Sequence, residues 1–203
     1  MIKKILDGEQ IKKILYSVIV DDVGKEKIQT EITLDVGSSQ KYIDIIMNKC
    51  IAKLCFESND DSGDDYFYQK SIVTLSEALL HFMLTICTLP SERRITPKNN
   101  LVVDVVVDIV VPNLQRLKTK PEQSLIIQFI KEDQELNKVP QLVSLQPNCK
   151  NIWLISAKPL SSTKYTTYSV FSNTGFNNRY SDIIIDVYDF LKQTGDKSFR
   201  LIH

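Results

Sequence analysis

The sequence predicts an α+β fold, with α/β as the alternative: one mixed sheet of five or six strands with three or four helices packed on it. Three observations lead to this prediction. Apolar and polar residues alternate near the amino terminus, three segments carry apolar stripes at helical spacing, and one run is almost wholly β-branched. No linker is long enough to separate two domains, so we expect residues 1–203 to form a single globular domain.

The first predicted element is an amino-terminal antiparallel β-hairpin. Apolar and more polar residues alternate between Ile28 and Val36, which is the pattern of a half-buried strand. A second apolar run, "ILYSVIVDD", precedes it, and a short loop containing Gly24 lies between the two. Two such runs around a short glycine-containing loop predict a hairpin.

Three segments have the spacing of helices. Apolar residues from Ile43 to Leu54 recur at intervals of three and four behind a serine cap. The segment from Thr74 to Pro90 is apolar on nearly all sides, which predicts a central helix, and Thr74 and Glu77 have the spacing of a capping box. The last helix is predicted between Ser181 and Gly195, which supply its two caps.

Strands are predicted in the second half of the chain. Eight of the eleven residues from Leu101 to Val111 are valine or isoleucine, whose stiff side chains favour strands over helices. Residues 151–159 and 165–173 predict two further strands. The segment 121–137 is compatible with either helix or strand, and Pro121 at its start favours a helix.

Charge and composition restrict the choice of partners. The chain has 25 basic and 25 acidic residues, so there is no overall field that would attract nucleic acid or an anionic membrane. No apolar run has the length of a bilayer span or of a signal peptide. The four cysteines lack the spacing of a zinc site, and we expect reduced thiols in an intracellular protein, cytoplasmic or nuclear.

Asp104 and Asp108 interrupt the valine-rich strand and are its candidate chemical groups. Residues four apart in a strand share a face, but they are roughly 13 Å apart along it, which is too far for two short side chains to share one metal ion. Each carboxylate could still be completed by another, such as Glu132 or Asp133. The competing interpretation is that the aspartates keep an edge or near-edge strand from associating with other strands.

The turn "LDVGSSQ" contains the next candidate, Asp35. A strand that runs through Gly37 into a helix presents backbone N–H groups, a plausible anion site. The turn also resembles the Asp-x-Ser-x-Ser metal motif of von Willebrand A-type domains, with Asp35 and Ser39 in place, but Gly37 stands where the first serine belongs. An ordinary serine-capped turn explains the same residues.

Two further features point away from catalysis. Residues 57–65 are acidic and small, and they fail the ligand spacing of a calcium-binding EF-hand, so we expect an exposed acidic loop. Histidine is restricted to His81, within the most apolar helix, and His203, the last residue. Catalysis by a nucleophile paired with a histidine would therefore have to use His81 from inside a core helix.

The leading functional interpretation is a non-enzymatic interaction protein, a subunit or assembly factor of a larger intracellular complex. We expect protein partners, with a homo-oligomer as one option, and neither nucleic acid nor membrane. No cofactor or metal is expected. The alternative is a metal-dependent nuclease or phosphotransfer enzyme that uses the carboxylates Asp104, Asp108, Asp35, Glu132 and Asp133.

Overall fold

The amino-terminal part of the chain is helical. The computed structural model describes residues 7–58, 65–96, 106–161, 164–171 and 178–195. Its first four helices are α1 (Gly8–Ser17), α2 (Lys25–Leu34), α3 (Ser38–Ser58) and α4 (Asp65–Ile86). A turn of π-helix, Val18–Val23, continues α1, and Gly24 then adopts a positive φ of 92° before α2 begins. That φ favours glycine because it has no Cβ.

The predicted amino-terminal hairpin is wrong, because its residues form α1, the π-turn and α2. Ile28 and Ile32 are fully buried, whereas Leu34 is 83% exposed. A spacing of four residues places two side chains on one face of a helix as well as of a strand, so the alternating pattern did not decide between them. Thr30 and Thr33 donate their hydroxyls to the carbonyl oxygens four residues earlier, at 2.8 and 2.7 Å, as helical threonines can.

A six-stranded mixed sheet follows in the order β1 to β6. The β1–β2 and β2–β3 pairs are antiparallel, and the remaining pairs are parallel. The α+β class and the mixed six-stranded sheet are confirmed, and its antiparallel hairpin lies in β1–β2 rather than at the amino terminus. The strands are β1 (Glu92–Ile95), β2 (Val107–Val111), β3 (Leu125–Ile130), β4 (Ile152–Ser156), β5 (Thr166–Ser169) and β6 (Asn178–Arg179).

Two further helices, α5 (Leu114–Thr119) and α6 (Val139–Leu142), lie among the strands, and a third, α7 (Ile183–Gln193), follows the last strand. The described residues thus form seven helices, more than the three or four predicted. Two predicted helices are confirmed, one that begins near residue 38 and one that ends before Gly195. The two strands predicted in residues 151–159 and 165–173 are also confirmed, as β4 and β5. The segment 121–137 contains the strand β3 between two short 3-10 helices, and not one continuous helix. Thr74 does not begin a helix either, because α4 begins nine residues earlier.

The sheet is buried on both faces. One core contains α1, α3, α4 and α7 together with Ile109, Ile127 and Phe129 of the sheet; we call it the helical core. The opposite core is smaller and contains α5 and α6 together with Val110 and Ile126. No helix in the described part of the chain is long and apolar enough to cross a membrane. The acidic segment falls largely in residues 59–64, outside the described ranges.

The position of α4 leads to a stability prediction. Leu79 lies at its centre and is fully buried, so Leu79→Ala should lower the free energy of unfolding by roughly 2–5 kcal/mol through lost burial and a residual cavity. Leu34→Ala is the matched control, because the same atoms are removed from an exposed helical site; its effect should stay within roughly 0.5 kcal/mol. Urea denaturation measures both, and equal effects would contradict this packing.

Candidate active site

The hydrogen-bonded ladder between β2 and β3 ends at Asp108. Backbone pairing runs from Val111 with Leu125 to Ile109 with Ile127. One residue further, hydrogen bonds of the Asp108 and Gln128 side chains take the place of the backbone pairs. Asp108 Oδ2 accepts a 2.8 Å hydrogen bond from the backbone N–H of Phe129, and the backbone N–H of Asp108 donates to Gln128 Oε1 at 3.4 Å. Asp108 Oδ1 has no hydrogen bond to a described residue, so it is available to a ligand where the two strands part.

The direction of the side chains also changes at Asp108. Ile109 packs in the helical core, but Val107 packs in the opposite core, although residues two apart in a regular strand share a face. The carboxylate therefore lies at the end of the sheet, between its two layers. It lines a cavity of about 190 Å³ together with Gln128, Glu135 and Lys138; the apolar lining residues are Val106, Val139 and Leu142.

A buried ion pair borders Asp108 on the side of the helical core. Lys131, the first residue after β3, donates from Nζ to Glu77 Oε2 on α4 at 2.6 Å. The side chain of Glu77 is only 6% exposed, and Arg94 of β1 lies 3.4 Å from its other oxygen. Burial raises the pKa of Glu77, but the hydrogen bond and charge of Lys131, with the charges of Arg94 and Arg93, outweigh burial and hold it below its usual value.

Glu135 fixes the chain where it leaves β3. Its Oε2 accepts hydrogen bonds from the backbone N–H groups of Lys131, at 2.6 Å, and Glu132, at 3.3 Å. The residues that follow β3 form a short 3-10 helix, Asp133–Lys138. The consequence is that Lys131 has its backbone held by Glu135 and its ammonium held by Glu77. We call Glu77, Asp108, Gln128, Lys131 and Glu135 the sheet-end cluster.

Asp108 is the perturbed acid of the sheet-end cluster. Burial raises its pKa to about 6; the Phe129 N–H and Lys131 oppose the shift, and the charges of Glu77 and Glu135 add to it. The carboxylate therefore lies in an apolar environment with charges of both signs around it. Perturbed acids of this kind concentrate at functional sites, and a bound cation would favour the ionised form of Asp108.

The cluster is suited to a weakly held divalent cation and not to a closed metal cage. Among the described residues, no three His, Cys, Asp or Glu side chains converge closely enough to hold one ion. Mg²⁺ does not need such a group, since it usually keeps several waters and binds through one or two carboxylates plus substrate phosphates. Asp108 is the carboxylate that fits this role, because it lines the cavity and its Oδ1 accepts no hydrogen bond from a described residue.

The structure separates the residues proposed from the sequence. Asp108 belongs to the site, and Asp104 lies outside the described residues. Asp35 lies in the turn between α2 and α3, where Oδ1 accepts a 2.9 Å hydrogen bond from Gly37 N–H. Glu132 pairs with Lys70 of α4 at 2.6 Å, and Asp133 is exposed at the start of the 3-10 helix. The sequence suggested Glu132 or Asp133 as the group that completes a site with Asp108. In the structure, the residues of this segment whose charges act on Asp108 are Lys131 and Glu135.

Sequence reasoning missed Glu77, Lys131 and Glu135 as site residues. Glu77 carried a signal, since it is a charged residue within an otherwise apolar helix, but its spacing from Thr74 matched a capping box. In the structure Thr74 is inside α4 and donates its hydroxyl to Lys70 O at 2.8 Å. Lys131 and Glu135 carried no signal, because their segment was assigned to a helix rather than to a strand end.

No protein-family model and no curated protein sequence matches this chain. Two solved structures are similar in fold. Ecl18kI, in a metal-depleted complex with uncleaved, modified DNA, matches with a TM-score of 0.53 and 12% identity over 96% of this chain and 88% of that chain. The complex of the restriction endonuclease PspGI with substrate DNA matches with a TM-score of 0.51 and 12% identity, covering 95% of this chain and 98% of that chain.

These similarities correct the functional interpretation made from the sequence. The prediction of a non-enzymatic subunit or assembly factor is wrong, as is the expectation that nucleic acid is not a partner, because both similar structures are complexes with DNA and one of them is a restriction endonuclease with its substrate. The alternative, a metal-dependent nuclease or phosphotransfer enzyme, fits the findings better. Neutral composition was the reason for excluding nucleic acid, and it reports the sum of charges rather than their arrangement.

The raised pKa of Asp108 predicts how stability depends on pH. The folded pKa, about 6, lies above the ordinary value of 3.8, so the stabilisation due to Asp108 is complete below the lower value and lost as the pH rises through the higher one. Asp108→Asn removes that loss and should raise the free energy of unfolding by roughly 1–3 kcal/mol above about pH 7, with little effect below about pH 4.

Denaturant unfolding at several pH values, without divalent cations, measures this difference. Asp133→Asn is the matched control, because the same change is made at an exposed aspartate. A pH-independent difference between the wild-type protein and Asp108→Asn would show that the Asp108 carboxyl is not perturbed by burial.

Proposed function

We propose that this protein is a metal-dependent DNA endonuclease, with Asp108 and Lys131 as its catalytic residues. The observation that carries the proposal is the open end of the β2–β3 ladder, where a half-buried carboxylate lies within electrostatic reach of an ammonium group held by Glu77. Support for DNA as the substrate comes from the two structures of similar fold, Ecl18kI with uncleaved DNA and the restriction endonuclease PspGI with its substrate DNA.

The sheet-end cluster has the charges that phosphodiester hydrolysis requires. Water attacks phosphorus, the bond between phosphorus and the leaving oxygen breaks, and negative charge grows on the phosphoryl oxygens. An ammonium group positioned beside those oxygens offsets the charge without reorganising during the reaction. Lys131 is positioned in this way, because Glu77 and Glu135 hold its two ends.

Asp108 and the amide oxygen of Gln128 are the groups that would hold Mg²⁺ with the substrate phosphate. A bound cation supplies Lewis acidity toward the phosphoryl oxygen and lowers the pKa of a bound water. Asp108 must be ionised to bind it, so cleavage should increase as the pH rises through about 6. Glu77 is a positioning residue, since it acts on the reaction through Lys131.

Cleavage of long DNA of mixed sequence tests the proposal. With Mg²⁺ the wild-type protein should convert the DNA into discrete fragments, whereas Asp108→Asn and Lys131→Ala should slow cleavage by roughly 100-fold or more, because each removes charge stabilisation at the reacting phosphate. Asp133→Asn should cleave at the wild-type rate, since Asp133 is an exposed acid outside the sheet-end cluster.

Thermal unfolding with and without Mg²⁺ gives a readout that does not need a cleavable sequence. A cation that binds the folded state raises its stability by mass action, so Mg²⁺ should stabilise the wild-type protein and Asp133→Asn but not Asp108→Asn. Equal responses of the wild-type protein and Asp108→Asn, together with cleavage that survives both catalytic substitutions, would overturn the proposal.

A further inference from the structure

The edge strand β1 brings two adjacent arginines beside the sheet-end cluster. Arg93 pairs with Ile109, and Ile95 pairs with Val107, so Arg94 lies between these pairs at the level of Asp108. Arg94 has a positive φ of 46°, in the left-handed region that residues other than glycine and asparagine seldom adopt. Such backbone strain persists only where the surrounding structure maintains it, and it occurs often at functional sites.

The left-handed residue changes which way β1 presents its side chains. Arg93 shares a face with its partner Ile109, which packs in the helical core beside α4. Ile95 packs against the opposite core, although in a regular strand it would share a face with Arg93. Arg94 nevertheless reaches Glu77 of α4 at 3.4 Å. Both guanidinium groups thus come near the buried Glu77, and the charges of both lower its pKa.

Most of the positive charge of this pair is not neutralised by residues that the structure describes. Arg93 is exposed and forms no ion pair with a described residue, although it is close enough to Glu77 and Asp108 for their charges to act on it. The side chain of Arg94 is 70% exposed, and its contact with Glu77 is long at 3.4 Å. Lys131, by contrast, is 23% exposed and held at 2.6 Å.

We propose that Arg93 and Arg94 form a phosphate clamp that binds the DNA backbone next to the phosphodiester held at Asp108. This inference rests on the proposed function. A guanidinium group presents a planar fork of donors that matches two phosphate oxygens, and it stays charged at any working pH. The left-handed backbone of Arg94 brings the two guanidinium groups to one side of the sheet edge. Glu77 orients the Arg94 guanidinium, and most of the Arg94 side chain remains exposed to solvent.

The clamp predicts binding that depends on phosphate charge and not on base sequence. Each phosphate neutralised by a protein cation contributes about 0.9 to the slope of log affinity against log salt. Removal of one arginine should therefore lower the magnitude of the slope by about 1 and weaken binding similarly for any sequence. A short fluorescent DNA duplex of arbitrary sequence is a sufficient probe, in EDTA so that no cleavage occurs.

Fluorescence anisotropy between roughly 50 and 200 mM KCl tests the clamp with Arg93→Ala, Arg93→Gln, Arg94→Ala and Arg93→Lys. The first three should each weaken binding by about tenfold at low salt and reduce the slope. Arg93→Lys should keep the slope, because the charge remains, but should recover only part of the affinity, because the fork is lost. Arg179→Ala is the matched control: Arg179 is also an exposed arginine on an edge strand, β6, paired with Asp44 at 3.0 Å.

The outcomes separate the clamp from the proposed function. Wild-type binding with unchanged slopes in the Arg93 and Arg94 variants overturns the clamp and leaves the nuclease in place. Absence of wild-type binding at low salt overturns the clamp, and the cleavage assay with Mg²⁺ then decides the proposed function separately. Reduced slopes support the clamp even if no cleavage is detected. Thermal unfolding of each variant shows whether it is folded under the conditions of the titrations. If Arg93→Ala is unfolded, the binding of Arg93→Gln, which keeps a long polar side chain, tests the role of Arg93.

Discussion

The buried ion pair between Glu77 and Lys131 is the interaction on which the arrangement of the site depends. A carboxylate that is 6% exposed would be strongly destabilising without a partner, so α4 and the end of β3 must meet where the ammonium can reach it. That requirement links the central helix to the sheet at one point. It also places the remaining groups, because Asp108 lies on the neighbouring strand and Arg94 approaches the second oxygen of Glu77.

The site occupies a place where regular structure stops. A complete β2–β3 ladder would satisfy the backbone groups of both strands, but side chains of Asp108 and Gln128 make the hydrogen bonds there instead. This leaves Oδ1 of Asp108 without a hydrogen bond to a described residue. The raised pKa of Asp108 indicates that the folded protein gives up some stability to keep a charge there, as enzymes often do at functional sites.

The interpretation of Asp108 as a charge that protects an edge or near-edge strand fits the position of β2, which lies next to the edge strand β1. It does not account for the contacts of the carboxylate. Two aspartates in a strongly apolar strand are reasonably explained as charges that prevent an exposed strand edge from pairing with a strand of another molecule. However, β2 pairs with β1 on one side and β3 on the other, so Asp108 is not on a free edge. Its carboxylate accepts a hydrogen bond from the Phe129 N–H and lines the cavity. On this side of the described sheet the edge strand is β1, and the charges that Arg93 and Arg94 carry near the site are positive.

The sequence by itself determined the α+β class, the strands β2, β4 and β5, and the helices α3 and α7, because their apolar spacing fits one type of element and their caps or turns agree with it. It also singled out Asp108. It did not determine α2, where Ile28 and Ile32 fit a strand and a helix equally well, or β3, where a short apolar run has no distinctive period. The tertiary structure decided both. It alone brought together Glu77, Asp108 and Lys131, which are far apart in the chain, since only packing of α4 against the sheet makes them neighbours.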